Sequence, residues 1–242
     1  MQESLRGIVL GTVKYRESGL IVDVLTESRG RMSFMSSVSH GRSHRGLGAS
    51  VWQPLSMVSF CADMRNTPRL AYPHDVHVYM PYADLPFNPV KTTQALFVAE
   101  FLRYVLRDAQ ADALLYKYIE TSLCWLDSAT DGFVNFHIVF MMRMSRFVGI
   151  FPNVDHWEQG MFFDMQAAEF RHGQPPHPHF VWPDEAQFLP HLMRMNFGNM
   201  RHFRFSRQQR FRLLSLLVDF YRLHVPGYPD MKSLDVLREV FD

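Results

Sequence analysis

Residues 6–36, RGIVLGTVKYRESGLIVDVLTESRGRMSFMS, hold three short apolar runs separated by turn-forming residues. Ile8–Val13 and Leu20–Leu25 are rich in β-branched and aliphatic side chains, which suit a pleated, half-buried surface. Between them Arg16-Glu17-Ser18-Gly19 reads as a hairpin turn, and Glu27-Ser28-Arg29-Gly30 as the next one. In the third run Met32 and Phe34 alternate with Arg31 and Ser33, the period of a strand. A three-stranded meander leaves an apolar face that further strands or helices must cover.

Downstream residues supply both. Residues 38–50, VSHGRSHRGLGAS, form a Gly- and Ser-rich loop that carries Arg42 and Arg45 and no acidic residue. Flexible backbone and clustered cations suit an anion-facing loop. A further β-type run is expected at Val51–Cys61, with Pro54 near its start or at a bulge. Arg69–Met80 alternates again, Val76 and Val78 against Asp75, His77 and Tyr79. Five short strands in about eighty residues fit a small five-stranded barrel of the oligonucleotide-binding (OB) type.

The period changes at Asn88-Pro89, a good N-cap followed by a residue suited to the first helical position. Ala95, Val98, Phe101, Leu102 and Val105 then recur at helical spacing. Further helices are expected at about Asp112–Ser128, Phe133–Val148, Asp184–Met195, Ser206–His224 and Ser233–Phe241. Ser206 and Gln209 match a capping box, and Gly149 with Pro152 ends the third helix. Asp155–Pro183 reads as a hairpin (Met161–Met165 with Ala168–Arg171) followed by an extended, proline-rich stretch. The expectation is an α+β chain: an OB-type barrel over residues 1–82, then a helical bundle over 83–242 with a metal-free insertion at about 155–183.

Composition narrows the function. Net charge is +1, so no global field selects a partner and any charge-based recognition must be local. Cys61 and Cys124 stand far apart in apolar runs and are expected to be buried free thiols, as in a reducing compartment. No apolar run approaches the roughly 20 residues of a membrane span, so a cytoplasmic location is expected. Catalytic motifs for nucleotide, metal or nucleophile chemistry are missing, and the acidic residues are scattered; an enzyme is not expected. No cofactor is expected either. His172, His177 and His179, with Asp155 and His156, stand at spacings poor for tetrahedral zinc.

Two groups of cations remain. Arg6, Lys14, Arg16, Arg29, Arg31, Arg42 and Arg45 cluster on the strands and tips of the barrel, where they suit neutralising a nucleic-acid backbone. Of the nearby aromatics, Phe34 and Trp52 are read as core rather than as a stacking surface. The second group lies between Glu185 and Asp219, where the six cations are all arginine, the residue that makes forked contacts with phosphate or carboxylate. Arg201, Arg204, Arg207 and Arg210 are its candidates for holding DNA or an acidic protein tail. Arg143 and Arg146 join them, because on an otherwise apolar helix a cation must reach a rim or meet an anion.

The chain resembles the RecO family, the recombination mediators of bacterial DNA repair. RGIVLGTVKYRESGLIVDVLT (Arg6–Thr26), Gln53-Pro54-Leu55, SRFVGIFPN (Ser145–Asn153) and YRLHVPGYPDMKSLDVLREVF (Tyr221–Phe241) carry the resemblance, in the family's order and over nearly the whole chain. It implies an N-terminal OB barrel and a helical domain, binding of single- and double-stranded DNA, and annealing of complementary strands. It also implies contact with the acidic C-terminal tail of single-strand-binding protein, and a complex with RecR that helps load RecA. Many members carry a four-cysteine zinc module between their helices; here Asp155–Pro183 has no cysteine. The alternative reading is an adaptor whose barrel binds a protein. A weaker one is a hydrolase with its site across the two domains.

Overall fold

The computed structural model describes residues 2–16, 19–37, 49–64 and 70–240. Its organising element is β1 (Gln2–Tyr15), a strand long enough to serve two partners. Through Gln2–Ile8 it pairs antiparallel with β4 (Met57–Asp63), and through Gly7–Tyr15 with β2 (Gly19–Thr26). β3 (Gly30–Ser37) extends the sheet beyond β2, and β5 (His74–Met80) beyond β4, in the order β3-β2-β1-β4-β5. The far edges approach each other where the Met35 N–H donates to the Ala71 carbonyl at 2.9 Å. That contact curls the sheet toward the OB-type barrel expected from the strand pattern.

Gly7 lies where β1 has both partners beside it. A Cβ there would fall on Val24 Cγ1 and close against the Leu25 carbonyl. Inside the sheet, Leu5, Val9, Val22, Val24, Phe34, Trp52, Val58, Phe60 and Ala62 form the core. Phe34 meets Phe60 edge-to-face at 4.9 Å, and the Trp52 indole N–H, itself buried, donates to Ser36 Oγ at 3.0 Å. Both aromatics are therefore core, as their size suggested.

Two helices accompany the barrel in a first compact unit, residues 1–128. Asn88 caps α1 (Pro89–Val105), its side chain accepting from the N–H groups of Val90 and Lys91. Asp112 does the same for α2 (Ala113–Ser128) through Leu114 and Leu115. Lys91 is almost wholly buried but satisfied, with Asp84 at 2.8 Å and the Asp127 carbonyl at 2.7 Å. Burial pushes the Asp127 carboxyl up, but N–H donors from Ala83, Leu85 and Asp84 and the Lys91 charge outweigh it and hold it low.

The second unit, residues 129–242, is mainly helical. A 3-10 turn at Phe133–Asn135 leads into α3 (Phe136–Phe147), which is buried nearly all round. A small sheet follows, β6 (Phe162–Asp164), β7 (Glu169–Arg171) and β8 (Phe180–Val181), in the order β7-β6-β8. Then come α4 (Pro183–Ala186), α5 (Leu189–Arg194), α6 (Arg207–His224) and α7 (Lys232–Val240). The expected capping box is present, Ser206 accepting from the Gln209 N–H while the Gln209 side chain accepts from Ser206. The Tyr221 hydroxyl donates to the Met141 carbonyl at 2.7 Å and pins α6 to α3. Among the described residues no helix is long and apolar enough to cross a membrane.

Several expectations need correction. The run Val51–Cys61 is not one strand: a 3-10 turn occupies Ala49–Trp52, and β4 begins at Met57. Pro54 has no N–H to give a ladder, and Leu55 turns into the left-handed region at φ 67°. On β5 the alternation slips: Val78 is exposed, while Tyr79 turns its hydroxyl to Glu120 and Tyr116. The single helix at Asp184–Met195 is two, because Pro190 cannot donate to the Ala186 carbonyl and its ring crowds it. Phe180–Val181, read as extended tail, adds the third strand of the small sheet. Cys61 and Cys124 are free but only half-buried.

Gly30 marks a second tight junction of the first unit. Its φ is 72°, and a Cβ would strike the backbone of Ala109, Gln110 and Ala111. Gly30→Ala combines a left-handed backbone penalty with a backbone clash. It is expected to cost roughly 2–4 kcal/mol, read as a lowered midpoint in urea unfolding. A loss well below that would mean the α1–α2 connection yields.

Candidate nucleic-acid interface

On the barrel, geometry divides the cations into those already engaged and those that face solvent. Arg31 is engaged: its Nη2 meets Asp23 at 2.8 Å and its Nη1 donates to the Arg103 carbonyl at 2.6 Å. Asp23 also accepts from Ser33, and both charged side chains are about 15% exposed. Arg29 donates to Glu3, with Nη2 at 2.6 Å and Nε at 2.8 Å, which holds the Glu3 carboxyl below its ordinary range. That pair lies at the surface, so its contribution is small and it remains available for exchange.

Arg6, Lys14 and Arg16 are exposed, and no carboxylate among the described residues forms an ion pair with them. The Arg6 guanidinium lies 5.1 Å from the Tyr79 ring centre, and that of Arg16 lies 5.2 Å from the ring of Tyr15. Tyr15 is itself 39% exposed, so Lys14, Tyr15 and Arg16 place two cations and an aromatic ring at one hairpin end. That combination suits a phosphate backbone with a base stacked beside it. Beneath Arg6, Tyr79 donates to Glu120 at 2.7 Å. Burial raises the Glu120 carboxyl, but Lys117, Tyr79 and more weakly Arg6 hold it low. Arg42 and Arg45 lie outside the described residues.

In the second unit, α6 and α7 border a groove of about 460 Å³. Phe211, Leu214 and Leu237 give it an apolar floor, and Arg207, Arg210 and Arg238 a cationic rim. A neighbouring groove of about 530 Å³ shares Gln208, Phe211 and Arg238 with it and continues past Phe188, Phe205 and Leu216. Together they run an apolar strip along α6 between cations. Arg238 stands 4.8 Å from the Phe211 ring centre. Sequence reading missed Arg238, whose only hint was its place in the last turn of the amphipathic last helix.

The other arginines serve different ends. Arg210 donates Nε to Asn135 at 3.3 Å and Nη2 to the Phe205 carbonyl at 3.4 Å, and burial lowers its pKa. Burial and the Arg210 charge lower the pKa of the neighbouring His137 to about 3, so it stays neutral. Arg212 forks onto Glu185 at 2.7 and 2.9 Å. Arg143 donates to the Met195 carbonyl at 3.1 Å, and exposed Arg146 covers the Phe151 ring at 4.1 Å. Arg201, Arg204 and Arg207 are exposed. Of the six arginines singled out in this unit, only Arg207 and Arg210 line the groove along α6.

Comparison with known proteins identifies the family. Residues 1–81 match the family described as Recombination protein O N terminal, and residues 86–234 match Recombination protein O C terminal. The chain is 42% identical over 241 residues to the DNA repair protein RecO of Phocaeicola vulgatus, with 100% of each chain covered. It is 41% identical over 244 residues to that of Bacteroides fragilis, again with full coverage. The Porphyromonas gingivalis protein of the same name is 30% identical over 241 residues, 98% of each chain.

The two classes of barrel cation should separate in stability. Arg31→Ala strands a largely buried Asp23 and is expected to cost roughly 2–3 kcal/mol in urea unfolding. Lys14→Ala and Arg16→Ala should each stay within about 0.5 kcal/mol of the parent. Equal effects at all three positions would contradict the division.

Proposed function

The chain belongs to the RecO family of DNA repair proteins, and from that premise we propose that it acts without catalysis, as a recombination mediator. The barrel, taken as a DNA-binding domain over residues 1–82, neutralises phosphates of single- and double-stranded DNA with Arg6, Lys14 and Arg16, joined by Arg42 and Arg45. Arg29 contributes once released from Glu3, whereas Arg31 serves the fold. The observation that carries this reading is the exposed Lys14-Tyr15-Arg16 end, which has no carboxylate paired to it among the described residues.

Phosphate contacts position a strand without reading its sequence, so binding is expected to be general and salt-dependent. Two neutralised strands on one protein meet at high effective concentration, which favours annealing and requires no ATP. The helical domain, taken as residues 83–242 although α1 and α2 group with the barrel in the first unit, supplies the protein contacts. The acidic tail of single-strand-binding protein would lay an apolar end on Phe211 and Leu214 and its carboxylates on Arg207 and Arg238. A complex with RecR would complete the loading of RecA onto coated strands. A cytoplasmic location would give the chain access to these partners.

The test is the double charge reversal Lys14→Glu with Arg16→Glu, followed by fluorescence anisotropy on a labelled single-stranded oligonucleotide. Affinity at low salt should fall at least about tenfold, and the salt slope should shrink by about 0.7 for each lost contact. Unchanged affinity in the folded variant would remove this end of the barrel from the interface. Binding of protein partners alone, with none to DNA, would favour the adaptor reading.

A further inference from the structure

A second arrangement on the barrel has no part in that reading. Cys61 on β4 and His74 on β5 face each other as direct cross-strand partners. Asp75 follows His74, and neighbouring residues on a strand normally point to opposite faces. Here they do not. The ladder steps from Ser59↔His77 to Cys61↔His74, so β5 carries one residue more than β4 across the interval. Asp75 sits in that interval with φ 53°, a left-handed conformation that aspartate tolerates better than most residues.

The bulge brings three unlike donors together. One ligand atom from each of Cys61, His74 and Asp75 lies within 4.8 Å of the other two, and His74 Nε2 stands 4.0 Å from Asp75 Oδ2. Bulges recur where a side chain must be re-aimed. A tetrahedral ion with bonds of about 2.0–2.3 Å needs its ligand atoms about 3.3–3.6 Å apart. The His74 and Asp75 side chains are 42% and 82% exposed, free enough to close the remaining ångström by rotation.

We propose that Cys61, His74 and Asp75 form a binding site for a borderline divalent transition-metal ion, with zinc as the best match. A thiolate and an imidazole select such an ion over magnesium or calcium, and the carboxylate completes a three-ligand set. The Cys61 thiol gives its proton to water on binding, and the fourth position is left to a water molecule. The ion would clip the start of β5, an edge strand, to β4 at the point where their ladder is irregular. This site is unrelated to the four-cysteine module of other family members, which would fall in the second unit.

Cobalt(II) titration of the full chain, kept reduced with a phosphine in chelator-free buffer, tests the proposal. A thiolate-to-cobalt charge-transfer band should grow to saturation at one ion per chain, and zinc should displace it. Cys61→Ser should abolish the band, and Cys124→Ser should keep it. His74→Ala and Asp75→Ala should each weaken cobalt binding by roughly tenfold or more. No band at millimolar cobalt, or one that survives Cys61→Ser, overturns the site. If Cys61→Ser fails to fold, the exposed His74 decides: cobalt affinity unchanged in His74→Ala overturns it as well.

Discussion

The structure depends on one strand having two partners. β1 gives its first half to β4 and its second half to β2, and the two pairings overlap at Gly7 and Ile8. Each partner brings one more strand, β5 on one side and β3 on the other, so a five-stranded sheet grows from a single element. At the overlap β1 must pass so close to β2 that the Gly7 position has no room for a side chain beside Val24. Val24 is buried and β-branched, so it cannot rotate away cheaply.

Carboxylates then decide what the surface cations do. Asp23 claims Arg31, and the Arg31 N–H and guanidinium in turn reach Ala109 and Arg103, tying the β2–β3 hairpin to the end of α1. Glu3 holds Arg29 more loosely, at the surface. Lys14 and Arg16 are left at the far end of β1 without a described carboxylate in reach of an ion pair. A sheet with mixed charge thus sorts its cations into structural and available ones, and the net charge of +1 reveals nothing of that sorting.

Much of the fold was legible because its local signals agree. The meander follows from period-2 runs broken at Gly19 and Gly30, and α1 and α6 from Asn88-Pro89 and the Ser206–Gln209 box. The errors arose where one residue overrides a pattern. Pro54 with Leu55 delays β4, Pro190 splits a helix, and the bulge at Asp75 breaks the alternation of β5. β8 was hidden because two residues carry no period. At the site the limit is different: whether an arginine is free depends on a carboxylate 8 or 26 residues away, as at Arg31 and Arg29. The groove on α6 needed Leu237 and Arg238 from a separate helix, and the Cys61, His74 and Asp75 cluster needed the strand register.

DNA binding by phosphate neutralisation, as proposed for this barrel, is read most simply on the unmodified protein. The measurement is the affinity for labelled single strands of unrelated sequence across a range of salt concentrations. The expected result is a straight, steep fall of log affinity against log salt, with a slope of about −0.7 per phosphate contact and little dependence on sequence. Affinity that is insensitive to salt, or absent at low salt, would contradict it.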